Sequence, residues 1–357
     1  MKKKKWPVVL IVILVLIAAL ALGGFIFVKS YLSKISRTGE QNVQATIAPK
    51  DEFFETDEEP ADSEVSEGES TGEDTSTELE KPGSSESEED AVESTTDPAD
   101  VDWGDYIEQI EDDHLINILL VGQDRREYQV RQRSDCMILC SINPETGKVS
   151  LISFLRDLYV QIPGGYSDNR LNATYTFGGF DLLDATLTEN FGVSIDGNLE
   201  VDFSGFETVI DTLGGVDIEL TSSEAAYLGK AAGLNHLNGH DALAYSRIRS
   251  IDNDFARTGR QRKVLLNIYE KTKDLSINEI LNLIDAVLPY VTTDMTDSEI
   301  ISIAYRMLPI LKSLSISTYT VPANDCYYGT RIQGMSVLVP DTQLIRQYLE
   351  EEYLPLE

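Results

Sequence analysis

The sequence is poor in the residues that build metal and redox centres, with three cysteines and three histidines in 357 residues. Cys136, Cys140 and Cys326 form no CxxC pair, which excludes a zinc ribbon and a thioredoxin-type motif. Three cysteines are also too few for a disulfide-built scaffold. Cys136 and Cys140 lie four apart on one predicted strand, about 13 Å, too far for a mutual bond; pairing of either with Cys326 stays open. His114, His236 and His240 have no metal-ligand spacing. Positive charge is scarce as well: 29 Lys and Arg face 61 Asp and Glu, a net charge of −32. A nucleic-acid binder needs the opposite balance on at least one face, so no nucleic-acid partner is expected. No 20–50-residue repeat is present, which argues against a solenoid.

What is present is segregated along the chain. Lys2, Lys3, Lys4 and Lys5 precede Trp6, and Pro7 to Val28 carries no charge. Those residues span about 33 Å as a helix, enough for the roughly 30 Å hydrocarbon core. Lysines stay cytoplasmic, so residues 1–6 are expected inside, 7–28 across the cell membrane as a single pass, and the remainder outside. A cleaved signal peptide ending near Ala19-Leu20-Ala21 is the alternative; it exports the same domain, but the apolar run continues to Val28. Residues 51–100 then hold 21 Asp and Glu against Lys81 alone. A segment this acidic and this short of apolar residues builds no core, so 29–104 is expected to be a disordered extracytoplasmic linker. As a spacer, its roughly 65 most polar residues reach about 45 Å.

From Asp105 the composition is globular. Ile116–Val121, Met137–Ile142 and Val149–Phe154 read as buried strands, because their apolar runs are nearly continuous. Asn198–Val201, Val216–Leu220 and Ser315–Val321 read as further strands. Helical patterns cover Phe180–Phe191, Phe203–Leu213, Gly239–Arg247, Arg257–Lys273, Ile277–Val291, Asp297–Leu311 and a terminal stretch from Asp341. The expected fold class is α/β, a mixed central sheet sandwiched by helices, with a main domain over 105–275 continued by 276–357.

Chemistry collects at the strand ends. If the first three strands pair as an up-down-up meander, Asp124, Asp135 and Arg156-Asp157 share one sheet edge. Two converging carboxylates suit Mg²⁺, with Mn²⁺ also possible, although two solvated loop aspartates are an equally simple account. Residues 245–263 carry Arg247, Arg249, Arg257, Arg260, Arg262 and Lys263 against Asp252 and Asp254. Arg257, Arg260 and Gln261 are spaced to share one helix face. Arginines there suit a phosphate, since the planar fork donates two bonds at once, whereas a solvated basic face is the structural alternative. Acids for a metal, arginines for phosphate and an exported domain together point to a lipid-linked phosphate or pyrophosphate.

The motifs that carry these residues run Asn117-Ile-Leu-Leu-Val-Gly-Gln-Asp124-Arg-Arg126, Arg133-Ser-Asp135, Ser153-Phe-Leu-Arg156-Asp157 and Arg170-Leu-Asn172-Ala-Thr-Tyr175. They continue with His236 to Arg249 and Asp254-Phe-Ala-Arg257-Thr-Gly-Arg260-Gln261. In this order the sequence resembles the LytR-CpsA-Psr family of cell-envelope proteins over roughly residues 115–270. The resemblance implies a phosphotransferase that moves a glycopolymer (teichoic acid, capsular polysaccharide or similar) from an undecaprenyl-pyrophosphate carrier to peptidoglycan. It implies Mg²⁺ at Asp124 and Asp135, and pyrophosphate held by Arg156, Arg170, Arg247, Arg249, Arg257 and Gln261. Asp254, with Arg156 and Arg247, is implied in catalysis, Asp254 as base for the incoming sugar hydroxyl. The family also buries the prenyl tail in an apolar tunnel, for which Phe180–Phe191 and Ile277–Val291 are candidate linings. Where the family has Ile-Pro before the Arg-Asp pair, this chain has Phe154-Leu155, a change that leaves the charges intact.

Two other functions use nearly the same residues: hydrolysis of the lipid pyrophosphate, and binding of the lipid-linked polymer without chemistry. Replacing Arg247 or Asp124 by Ala is expected to abolish attachment of polymer to peptidoglycan while the fold persists. Wall-bound polymer measured beside a thermal melt tests this, and unchanged attachment removes the site assignment.

Overall fold

The computed structural model describes residues 32–37, 94–123, 133–272, 275–307, 310 and 314–356. Asp124, the apolar segment 7–28 and most of the acidic stretch lie outside the described residues. Among the described residues, no helix is long and apolar enough to cross a membrane.

The apolar runs form a seven-stranded mixed sheet. Its order is β1 (Ser36–Arg37), β10 (Val291–Thr293), β7 (Gly197–Asp202), β2 (Ile116–Gln123), β3 (Ser134–Ile142), β4 (Lys148–Phe154) and β11 (Ser315–Val321). β2, β3 and β4 form the antiparallel meander, while β7 runs parallel to β2 and β11 parallel to β4. Three two-stranded ribbons flank it: β5 (Tyr159–Val160) with β6 (Asn169–Arg170), β8 (Val216–Leu220) with β9 (Gly233–Leu237), and β12 (Tyr327–Ile332) with β13 (Met335–Pro340). The helices are α1 (Leu171–Phe191), α2 (Phe203–Thr212), α3 (Ser222–Tyr227), α4 (Gly239–Arg247), α5 (Asp254–Thr272), α6 (Ile277–Val287), α7 (Asp297–Met307) and α8 (Thr342–Tyr348).

Both sheet faces are covered, which is why the strand sequences are apolar without alternation. Ile116, Ile118 and Leu120 pack with α2, α4, α5, α6 and α7 in one cluster. Leu119 and Val121 pack with α1 and α8 in the other. All three cysteines are free, with Cys140 in the first cluster and Cys326 in the second.

Several boundaries differ from the sequence expectation. The helix expected over Phe180–Phe191 is present, and a further helical stretch from Leu171 precedes it within α1, the two divided by a non-helical Gly179 (φ 67°, ψ −148°). The helix expected to reach Val291 ends at Val287, and Val291 opens the short strand β10. The expected linker over 29–104 is corrected at both ends. Leu32 and Ile35 are buried in the first cluster, and Ser36–Arg37 pair with β10. At the other end the Thr96 amide donates to the Arg331 carbonyl at 2.9 Å, and Trp103 stacks on Tyr159 at 5.8 Å between centroids. A few apolar residues in a polar context leave no compositional signal, yet each fills a place on an existing surface.

α1 is tied to β7 by buried polar contacts. Tyr175 donates to Glu200, and Asn198 Nδ2 donates to Asp184 Oδ2 at 2.7 Å and to Asp294 Oδ2 at 2.6 Å. Burial pushes the Asp184 carboxyl up to about 7, against the Asn198 bond and with Asp294 and Asp181 adding repulsion. A carboxyl raised in the fold favours the native state fully at low pH, and that contribution is lost as the pH rises through about 7. Asp184→Asn is therefore expected to raise the melting temperature at pH 8, by roughly 2–4 °C per kcal/mol recovered, with the gain shrinking toward pH 4. Melts across that range check the sign.

Candidate active site

The strand directions gather one rim. β2, β7 and β4 end there, and β3 begins there. Asp135, the second residue of β3, therefore faces Arg156, which directly follows the β4 end: Asp135 Oδ1 lies 3.2 Å from Arg156 Nη1. Two helices meet the same rim. Arg247 closes α4, where the exposed carbonyl ends favour a cation, and Asp254 opens α5, where the free N–H groups favour an anion. Between them Arg249 Nη2 reaches Asp135 Oδ2 at 2.9 Å.

The charges form one network. Arg156 Nε lies 3.4 Å from Asp157 Oδ2 and 3.5 Å from Asp254 Oδ2. Arg257 Nη2 donates to Asp254 Oδ2 at 2.8 Å. Arg170 joins through Asp157 at 3.5 Å, and its Nε and Nη2 both donate to the Ser336 carbonyl in β13. Arg247 stacks over the Phe203 ring, 4.5 Å from its centroid. Burial opposes ionisation of Asp135, but Arg249, Arg156 and Arg257 together hold its carboxyl below the usual range. Burial has the upper hand at Asp254 and raises it, despite Arg257 and Arg156. At Arg156 the neighbours prevail: Asp157, Asp254 and Asp135 outweigh burial and strengthen its hold on the proton.

An apolar cavity of about 140 Å³ opens beside this network. Leu120, Ile138, Leu199 and Val209 line its depth, and Asp135, Arg247, Arg249, Arg257 and Gln261 bound it on the charged side. Arg257 is 2% exposed; its Nε and Nη1 have no hydrogen-bond partner, nor does Gln261 Oε1. The buried Arg257 donors are costly unless something accepts from them, and an anion at the cavity mouth is the species that fits them, whereas Gln261 Oε1 is an acceptor and calls for a donor.

The structure brings some of the predicted site residues together and sets others apart. Asp135, Arg156, Arg249, Asp254 and Arg257 are brought into one network, Arg247 and Gln261 border the same cavity, and Arg170 stands one ion pair behind. Asp124 lies outside the described residues. Arg260 was grouped with Arg257 by helical spacing, but it turns the other way. It is buried, bonded to Asp252 by two contacts of 2.5 and 2.7 Å, and donates to the Ile248 carbonyl. Of the candidate tunnel linings, Phe180–Phe191 packs on the opposite sheet face, and among the described side chains of the 277–291 segment Val291 lines the cavity. The lining comes from α2, α4 and α5 instead. Asp157 and Phe203 were given no role, although each directly follows or closely trails a strand that ends at the rim.

For a divalent cation, Asp135 offers a hard oxygen donor held anionic, which suits Mg²⁺. Among the described residues no group of three or more His, Cys, Asp or Glu could hold a metal, and Asp124 lies outside them.

The profile of the LytR_cpsA_psr family matches residues 67–353. The polyisoprenyl-teichoic acid–peptidoglycan teichoic acid transferase TagU of Bacillus anthracis is 30% identical over 213 residues, 58% of this chain and 69% of its own. TagU of Enterococcus faecalis is 34% identical over 204 residues, 53% of this chain and 65% of its own. Among solved structures, TagT bound to LIIa-WTA is 25% identical with a TM-score of 0.54, covering 69% of this chain and 96% of TagT. TagV of B. subtilis is 27% identical with a TM-score of 0.53, covering 68% of this chain and 98% of TagV. YwtF (TagT) with bound octaprenyl pyrophosphate lipid, at 23% identity and a TM-score of 0.51, shares the fold.

Arg260 of α5 and Arg249 in the loop before it separate by stability. Arg260→Ala strands Asp252 and Glu224 and is expected to cost about 3–5 kcal/mol. Arg249→Ala at the solvent-facing rim is expected to change stability by less than about 1 kcal/mol. Denaturant unfolding of both variants checks the division.

Proposed function

The chain belongs to the LytR_cpsA_psr family, and from that premise we propose that it is a phosphotransferase moving a glycopolymer from a polyprenyl-pyrophosphate carrier to peptidoglycan. The observation that carries this reading is the junction of an arginine network with an apolar cavity. Arg257, whose buried Nε and Nη1 have no hydrogen-bond partner, borders that cavity together with Gln261, which suits a diphosphate head joined to a hydrocarbon tail. Relatives named as teichoic acid transferases support the polymer class, and the undecaprenyl carrier is the proposed form of the lipid.

In this reading Arg156, Arg247, Arg249 and Arg257 grip the diphosphate, Gln261 orients it, and Arg170 braces Asp157 behind Arg156. The tail lies along Leu120, Ile138 and Leu199. Asp254 accepts the proton of a peptidoglycan sugar hydroxyl. That oxygen bonds to the polymer-side phosphorus, and the bond from that phosphorus to the bridging oxygen breaks. Polyprenyl phosphate leaves with the bridging oxygen. Guanidinium groups already in place stabilise the charge that moves onto the leaving phosphate. A carboxyl raised by burial is a better base than an ordinary aspartate, and its proton-accepting form is available above its raised pKa. Asp135 with Asp124 would hold Mg²⁺, which supplies further neutralisation of phosphoryl oxygens when bound. The catalytic domain acts outside the cell membrane, anchored by the single pass over 7–28.

Asp254→Asn is expected to lower kcat for transfer by about 10²–10⁴-fold while binding of octaprenyl pyrophosphate is retained. The acid limb of the parent's pH profile should lie above the range of an ordinary aspartate and disappear in the variant. Product analysis completes the test: polymer covalently on peptidoglycan supports transfer, and only free polymer overturns it in favour of hydrolysis.

A further inference from the structure

The strand that follows the apolar N-terminal segment has a direction, and that direction orients the domain. Ser36 aligns across the sheet with Thr292, Glu200 and Val121, and Arg37 with Thr293, Leu199 and Leu120. β2 ends at the site rim, so the step from Ser36 to Arg37 runs away from that rim. The chain therefore arrives at the sheet from the rim side. Leu32 and Ile35, buried in the first cluster, fix this approach, and Lys34 pairs with Asp285 while Arg37 pairs with Asp297 at 2.5 Å. Val28, the last residue of the uncharged segment, is only four residues before Leu32. Four residues reach at most about 14 Å when fully extended.

We propose that the domain sits directly on the bilayer, with the arginine-bearing rim and cavity mouth turned toward the lipid headgroups. This deepens the functional reading and rests on its membrane-spanning segment. The rim has the character of a membrane-facing surface. Tyr290, exposed at 37%, directly precedes β10 at its rim end, and the half-buried Phe203 follows β7 there. Aromatic rings of this kind favour the headgroup level, and arginines favour anionic lipid. The acidic stretch begins just after Arg37 and returns at Ser94–Thr96 on β12, so both of its ends are docked on the domain. It holds 20 Asp and Glu against Lys50 and Lys81, and an anionic surface repels it.

The full chain, reconstituted in phosphatidylethanolamine–phosphatidylglycerol vesicles carrying a headgroup acceptor dye, distinguishes the arrangements without reading activity. Fluorophores are placed by Ser250→Cys, in the exposed rim loop before α5, and by Glu145→Cys, in the exposed turn between β3 and β4 at the opposite sheet end. The seven residues of β4 separate the two ends by about 23 Å. Energy transfer from position 250 is expected to exceed that from 145 by roughly twofold or more, given that separation. Deleting residues 50–82, which leaves enough chain to join the two docked ends, should leave both values unchanged, whereas a spacer would bring both labels nearer. Equal transfer at the two positions, greater transfer at 145, a rise at both upon deletion, or a chain that does not float with the vesicles would each overturn the proposal. Loss of transferase activity with this pattern intact would fault the functional reading alone.

Discussion

The site depends on burying guanidinium groups side by side, a condition that like-charge repulsion and desolvation both oppose. Arg257 shows the strain of it: burial, then repulsion from Arg156, weakens its hold on its proton. Three aspartates make the cluster tenable. Asp135 bridges Arg156 and Arg249, Asp254 bridges Arg156 and Arg257, and Asp157 bridges Arg156 and Arg170. With Arg247 included, five arginines face three aspartates among the described residues, a positive excess that suits an anionic head group. The carboxylates thus do two things: they permit the arginines to gather, and they set how much positive charge is left over.

The apolar half of the site is built from the same helix as the polar half. Arg257, Gln261, Leu265 and Ile268 recur at helical spacing along α5, and all four border the cavity. One helix face therefore passes from a charged first turn to an apolar interior within three turns. Gly122 and Cys136 bound the mouth on the strand side, where an added Cβ at Gly122 would come within 2.9 Å of the Cys136 Cβ. The close approach of β2 and β3 there leaves the mouth walled by backbone and a small thiol. Burial pushes that thiol up to about 12, which keeps it an uncharged, unreactive part of the wall.

Much of this was legible in the sequence, for physical reasons. Continuous apolar runs mark strands covered on both faces, and short turns force the meander, so the sequence alone puts Asp135 and Arg156 at one edge. Helical spacing placed Gln261 with Arg257 correctly and placed Arg260 with them wrongly, because spacing does not reveal that Asp252 and the Ile248 carbonyl compete for that side chain. The tunnel lining escaped because an apolar helix face reads the same whether it meets a cavity or a packed core; only Leu265 and Ile268 of α5 and their neighbours meet the cavity. The docked ends of the acidic stretch escaped for a different reason. Leu32, Ile35, Val101 and Trp103 are too few to shift a composition, and a two-residue edge strand such as β1 has no periodicity to read.

Arginines in the first turn of a helix oppose its dipole, and the fold offsets this. Asp254 occupies the start of α5, accepts from Arg257 and restores the favourable sign at that terminus. Arg247, at the end of α4, has the sign its own terminus favours. The two helices thus deliver opposite charges to one rim, each from the end where its charge is least costly, with a short loop holding Arg249 between them. The parallel strands β2, β4 and β7 end at this rim as well, the place where α/β sheets commonly host ligands. Strand polarity and helix polarity therefore select the same end of the molecule, and the anion-binding character of the site follows from the fold as much as from any single arginine.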